Sequence, residues 1–311
     1  MALAACAPAV AQSLPASVKI IVPFSAGGGQ DALGRELARE LGVRLGIPFV
    51  VDNRPGAGGN IGTDAAAKAQ PDGSVLVLSS SGPLANNRLF YKSMPYDPEK
   101  DLAPVALVGE TPLFILGKKS FPYASLGAML RDAGQDRPPL NFGSAGYGTT
   151  SHLALELMRE NSRRRINHVP YKGGSQVEID VMASVLDGGL VLYSAGDLAH
   201  AEKGTLRILA VTSAARFPTA PAVPTTVEEG FPMLVTSTWF ALVGPRGLPK
   251  DYVGRMSREI NDYLRSPAGV ARLQNLGVVA IVGAPELVTQ RMRDELAMWT
   301  PIVRKLNIRL D

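Results

Sequence analysis

Residues 20–31, IIVPFSAGGGQD, constrain the fold more than any other part of the chain. Ile20, Ile21 and Val22 are β-branched and suit a buried strand. Pro23 cannot extend a paired ladder, and Gly27, Gly28 and Gly29 permit backbone angles that other residues avoid. The strand therefore has to end in a turn. Leu33, Leu37, Leu41 and Leu45 then recur at helical spacing, with Asp31 carrying a side chain that caps a helix rather than one that acts as a base. A turn framed by Phe24, Ser25, Ala26 and Gln30 would thus present unpaired amides at the positive end of a helix dipole, which suits an anion. The nucleotide readings of this turn have little support. A Walker loop needs Lys and then Ser or Thr where this chain reads GGGQDALGR, and the GxGxxG spacing of a dinucleotide fold is absent.

The same device returns in the second half. Asn141, Phe142 and Gly143 lead into Ser144, Ala145, Gly146, Tyr147, Gly148, Thr149 and Thr150. His152 then opens a helix that continues through Leu153, Leu155 and Leu157. Between the two devices, residues 49–51 and 75–78 read as strands and residues 61–69 as a helix. Ser80 and Ser81 follow the 75–78 strand. Strands that alternate with helices imply parallel sheets covered on both faces, with ligands beyond the carboxyl ends of the strands. Pro112 interrupts an apolar run, DLAPVALVGETPLFILG, and marks a passage between domains near Glu110. Pro218, Pro221 and Pro224 make a stiff return near Thr226. The expected division is lobe I from residues 17–110 and 227–311, and lobe II from residues 111–226. Two C-terminal amphipathic helices, at residues 251–264 and 285–305, would cover the sheet of lobe I.

A chain of 311 residues exceeds one ordinary core, in agreement with two domains. The formal charge of +4 is modest and the charged residues are scattered, so no nucleic acid partner is indicated. The run Arg163, Arg164, Arg165 reads as a solvated helix end. One cysteine and three histidines show no metal-binding spacing, and no cofactor motif is present. His152 is expected to fix its loop, with a ligand contact as the second reading; His168 and His200 read as surface or strand-end residues. Tyr171 and Lys172 either line a cleft or fix a turn. Phe142 stands two residues before Ser144, so there is no GxSxG elbow, and hydrolase chemistry lacks both a nucleophile and a partnered base. Residues 1–16 resemble the remnant of a secretory signal and the mature N-terminus. Ala9-Val10-Ala11 is the cleavage pattern, and lipid attachment at Cys6 ranks second. No later run approaches about 20 apolar residues.

Several motifs in fixed order carry a family resemblance. They are Val22-Pro23-Phe24 with the glycines and Asp31, Val51-Asp52-Asn53-Arg54-Pro55-Gly56-Ala57-Gly58, and Tyr96-Asp97-Pro98 with Asp101-Leu102-Ala103-Pro104-Val105. Gly143-Ser144-Ala145-Gly146 through His152-Leu153, Tyr171-Lys172-Gly173, residues 206–213 and Pro224-Thr225-Thr226 complete the set. The chain resembles the Bug-type solute-binding proteins of the tripartite tricarboxylate transporter family over nearly its whole mature length. The resemblance implies an α/β periplasmic binding protein of type II, a Venus flytrap with a parallel-rich sheet in each lobe. It also implies a monomer without cofactor that binds a small carboxylate, ordered waters helping at the far end, and delivers it to membrane permease subunits. A sensor subunit for a receptor kinase would share these residues. Family members that take amino acids carry a Phe-Asp pair where this chain has Val191-Leu192, just before Tyr193. That departure favours a dicarboxylate or an aromatic acid. A side chain added at Gly28 or Gly146 is expected to block amide approach.

Overall fold

The computed structural model describes residues 14–134 and 136–308. The expected leader, its cleavage point and Cys6 lie outside these residues, apart from residues 14–16. Two layered α/β lobes share one long strand. In the first lobe β1 (Val18–Val22) pairs in parallel with β2 (Phe49–Asn53) and β3 (Val75–Ser80). Between them run α1 (Gly29–Leu45), α2 (Asn60–Ala67) and the short α3 (Ser81–Leu84), which directly follows β3. Leu33, Leu37, Leu41 and Leu45 bury the inner face of α1, and Gly46, in the left-handed region, ends the helix.

β4 (Leu102–Lys118) is a single strand of 17 residues and not a pair broken at Pro112. Up to Pro112 it pairs antiparallel with β9 (Ser237–Pro245); beyond it, with β7 (Gly188–Leu192) and β8 (Leu206–Val211). Proline is tolerated because it sits where the partner changes, so its missing N–H breaks neither ladder. The second lobe places α4 (Leu126–Arg131), β5 (Leu140–Ser144), α5 (Thr150–Glu160), β6 (Ile166–Pro170), α6 (Gly174–Met182) and α7 (Ala195–Glu202) around β7, β5 and β6, which are mutually parallel. The chain order in the joint sheet is β2-β1-β3-β9-β4-β7-β5-β6.

The return segment stays with the second lobe longer than the prolines suggest. Thr226 N–H donates to the Val211 carbonyl, and Phe231 and Leu234 pack in the core that holds Leu113, Phe142 and Leu153. The chain rejoins the first-lobe sheet at Ser237. α8 (Lys250–Arg265), α9 (Pro267–Asn275) and β10 (Val279–Ala280) precede α10 (Glu286–Leu306). α8 covers the first lobe through Tyr252, Met256 and Ile260. α10 does not belong to that lobe alone. Val288 and Met292 pack with the first-lobe residues Trp239 and Val243, whereas Trp299 and Val303 pack with the second.

The three arginines are not a solvated helix end. They lead into β6 by way of a bend at Arg163 and Arg164: Arg163 and Arg165 are exposed and Arg164 is buried. Arg164 donates to the Tyr123 hydroxyl and to the carbonyls of Arg137 and Pro138. Among the described residues no helix is long and apolar enough to cross a membrane.

Candidate functional site

The two glycine turns meet across one cavity. Its empty volume, mouth included, is about 560 Å³. From the expected set it is lined by Phe24, Ser25, Gly28, Gly29, Gln30, Asp31, Ser80, Ser81, Ala145, Thr149, Thr150 and Leu192. Glu178, Thr238, Leu113, Ser151, Gly82 and Gly174 complete the wall without having been anticipated. None of the lining residues is Lys, Arg or His. The remaining expected residues, Ala26, Gly27, Ser144, Gly146, Tyr147, Gly148, His152, Tyr171 and Tyr193, lie outside the wall.

Direct bonds hold the lobes together around the cavity. Ser25 donates through its amide (3.3 Å) and Oγ (3.2 Å) to the Lys172 carbonyl, and Ser175 Oγ donates to the Ala26 carbonyl at 3.1 Å. On the other side Ser81 Oγ and Thr150 Oγ1 are 2.9 Å apart. The lobes are therefore closed on each other.

In the first turn Gly28 is the cap and the helix begins at Gly29, three residues before the start that a cap at Asp31 would give. Asp31 instead braces the turn. Its Oδ2 accepts from Gly27 N–H (3.0 Å) and Arg35 Nε (2.9 Å), and its Oδ1 accepts from Asn53 Nδ2 (3.0 Å). Burial opposes its ionisation, but the bonds from Arg35, Gly27 and Asn53 outweigh that and hold the carboxyl below its ordinary range. Gln30 Nε2 donates to the Leu78 carbonyl at 2.8 Å, which anchors the start of α1 to β3. The amides of Gly29 and Gln30 fall in the first turn of α1, where no helical carbonyl precedes them.

The second turn is less bare than its composition implies. Ala145 N–H donates to Ser151 Oγ (3.0 Å), Gly146 N–H to Ser144 Oγ (3.2 Å) and Gly148 N–H to His152 Nδ1 (3.2 Å). Thr149 caps α5, accepting from His152 N–H. The amides of Thr150 and Ser151 remain at the start of α5, and both residues line the same cavity as Gly29 and Gln30. Gly146 has φ +121°, and a Cβ there would meet the Tyr171 carbonyl at 2.8 Å. It is thus a backbone requirement of the loop, and the expectation that a side chain at this position would act by screening amides does not hold.

His152 fixes the loop. His168, expected at the surface or a strand end, stands half-buried in the middle of β6: it stacks on His152 with centroids 4.8 Å apart and meets Ser144 Oγ at 2.6 Å. Burial, joined by the charge of Arg159 on both and by His168 on His152, pushes His152 down to about 3 and His168 to about 4, so both rings are neutral near pH 7. Glu156 lies close enough for the three to resemble a metal cluster. The hydrogen bonds argue otherwise. His152 Nδ1 accepts from Gly148, so the proton sits on Nε2, the atom that faces Glu156 at 3.9 Å and would have to bind the metal.

Tyr171 fixes its turn through a hydroxyl bond to Asp180. Tyr193 points away from the cavity, because successive strand residues face opposite sides. Leu192 reaches the cavity, while Tyr193 packs on Phe114 and Phe217 and bonds to Thr219.

The profile described as "Tripartite tricarboxylate transporter family receptor" matches residues 33–308. Protein BugT of Bordetella pertussis is 37% identical over 306 residues, covering 98% of this chain and 94% of BugT. Among solved structures, Rpa4515 of R. palustris with adipate aligns with a TM-score of 0.91 at 32% identity, covering 96% of this chain and 100% of that one. MatC (Rpa3494) from Rhodopseudomonas palustris with bound malate aligns with a TM-score of 0.86 at 27% identity, covering 93% and 100%. The chain belongs to the tripartite tricarboxylate transporter receptor family, a family of two-lobed periplasmic solute-binding proteins.

Proposed function

We propose that the protein captures a small dicarboxylate or aromatic acid between its lobes and delivers it to the membrane subunits of a tripartite tricarboxylate-type transporter. The observation that carries this reading is a closed interlobe cavity into which two helix starts project, lined with hydroxyls and devoid of basic side chains. One carboxylate end would accept from the amides of Gly29 and Gln30. The other would accept from those of Thr150 and Ser151, with Ser80, Ser81 and Thr149 offering hydroxyls. Each bond to a charged acceptor contributes about 1.5 to 3 kcal/mol net. After desolvation and association entropy, two or three per end leave roughly 8 kcal/mol, or micromolar binding. Dipoles without ion pairs suit reversible capture. Leu192 puts an apolar wall where an ammonium group would need an acid. The adipate and malate of the two related structures support a dicarboxylate.

Isothermal titration calorimetry with succinate, adipate, terephthalate, aspartate and glutamate tests the reading. The expected result is micromolar binding of at least one of the first three, tighter than either amino acid, and no turnover of esters or lactones. Tighter binding of aspartate or glutamate would contradict the assigned ligand class. Turnover would contradict the receptor role.

A further inference from the structure

Two carboxyl groups of the second lobe have no task in the amide-and-hydroxyl scheme. Glu178 lies in the middle of α6 and faces the cavity, and no described residue donates a hydrogen bond to its side chain. Behind it Asp197, in the first turn of α7, is 1% exposed. Asp197 Oδ2 accepts from Ser194 Oγ at 2.9 Å, whereas its Oδ1 is buried without a donor.

The surroundings give this pair no counter-charge. The stretch of β4 from Leu113 to Leu116, β5 and β7 carry no ionisable side chain. Lys118 and Asp187, at the far end of β4 and just before β7, are paired with each other at 2.6 Å. On α6 itself Asp180 is bonded to the Tyr171 hydroxyl, and Lys172 before the helix is exposed. On α7 His200 meets Thr205 Oγ1 at 3.2 Å and Glu202 and Lys203 are exposed, and in β8 Arg207 donates to the carbonyls of Phe121, Tyr123 and Ala124. Tyr193, after β7, gives its hydroxyl to Thr219. Across the cleft Asp31 is held by Arg35, Asn53 and the Gly27 amide. The charge that acts on Glu178 is that of Asp197, and it has the same sign.

Two carboxylates cannot both ionise cheaply in such a place, and a ligand carboxylate arriving beside them would add a third negative charge. A protonated carboxyl removes the conflict and supplies a donor to a cavity that otherwise offers amides and hydroxyls. Resting on the carboxylate reading above, we propose that Glu178 is a specificity-determining residue that meets the ligand in its neutral form. Its O–H donates to a ligand carboxylate, so that capture is coupled to one proton held on Glu178. Burial, reinforced by the charge of Asp197, pushes the Glu178 carboxyl well above the usual carboxylate range, and burial lifts Asp197 as well. The proton is therefore available near neutral pH. The neutral form exists below the Glu178 titration and is lost above it, so affinity should be full on the acid side and fall on the alkaline side.

The test is calorimetry with adipate, which is fully ionised throughout, between about pH 6.5 and about pH 9.5 in buffers of two different ionisation enthalpies. The wild-type protein should weaken about tenfold per pH unit above its titration, and its heats should differ between buffers there as protons are taken up. Glu178→Gln keeps a donor without a titration. It should bind within a few-fold of wild type at neutral pH, with a profile that stays flat into the alkaline range, and thermal melting would confirm that it folds. Identical pH profiles for wild type and Glu178→Gln would overturn the proposal while leaving the carboxylate reading intact. So would affinity that rises with pH with aspartate as the tighter ligand, since an ionised Glu178 would then be holding an ammonium group. Absence of carboxylate binding by the wild type at every pH would overturn the carboxylate reading itself, and the proposal with it.

Discussion

Gly29→Val is expected to weaken acid binding severely while leaving the free protein folded. Gly29 is the first residue of α1 and its φ is not positive, so valine costs the isolated helix no more than about 1 kcal/mol. The cost appears only across the cleft. A Cβ at this position would lie 3.3 Å from Leu192 Cβ and 3.4 Å from the Tyr193 carbonyl, and valine must place two further methyl groups beyond it. The lobes then cannot reach the closed arrangement, and the amides of Gly29 and Gln30 are screened. Affinity should fall roughly 100-fold or more, about 2.7 kcal/mol, with the melting temperature of the free protein within a few degrees of wild type. Calorimetry and thermal melting on the same sample check both halves. Undiminished affinity would show that closure at Gly29 plays no part in capture.

The second large effect is on stability and arises at Glu295, far from the cavity. This carboxylate is 4% exposed and accepts from three N–H groups: Asn86 Nδ2 (3.0 Å), Trp239 Nε1 (3.1 Å) and Trp299 Nε1 (3.0 Å). Burial raises its pKa, and the bonds from Asn86, Trp239 and Trp299, together with the charge of Arg291, work against that rise. Trp239 belongs to the core of the first lobe and Trp299 to that of the second, so one side chain joins both through α10. Glu295→Leu would strand three buried donors, each costing about 1 to 3 kcal/mol, partly offset by leucine's apolar burial. The net expectation is a loss of about 3 to 5 kcal/mol by denaturant unfolding, which for a chain of this size lowers the melting temperature by roughly 10 °C. A loss below about 1 kcal/mol would mean that the three donors find other acceptors.

The parts of the site that are legible in the sequence are the ones encoded locally. A β-branched run, three glycines and a leucine repeat specify β1, the turn and α1 within 26 residues or so, and the same logic exposes β5 and α5. Side-chain direction is less accessible. Leu192 and Tyr193 are adjacent, and only the pleat of β7 decides that the first enters the cavity and the second enters a core. The bonding state of the second turn is likewise hidden, because Ser144, Ser151 and His152 consume amides that composition alone would count as free. Glu178 and Thr238 are invisible for a different reason. One comes from the middle of an ordinary helix and the other from the return strand, and no local pattern distinguishes them from surface residues until the lobes are packed. The long β4 shows the reverse: its strand partners change at Pro112, and it is that change, not an end of the strand, that makes proline tolerable there.

A crystal structure of the protein with its tightest-binding acid addresses the proposed mode of capture most directly. The expected density places one carboxylate within hydrogen-bond distance of the Gly29 and Gln30 amides and the opposite end of the acid toward those of Thr150 and Ser151, with no lysine or arginine in contact. An acid seated outside the interlobe cavity, or gripped there by a basic side chain, would contradict it.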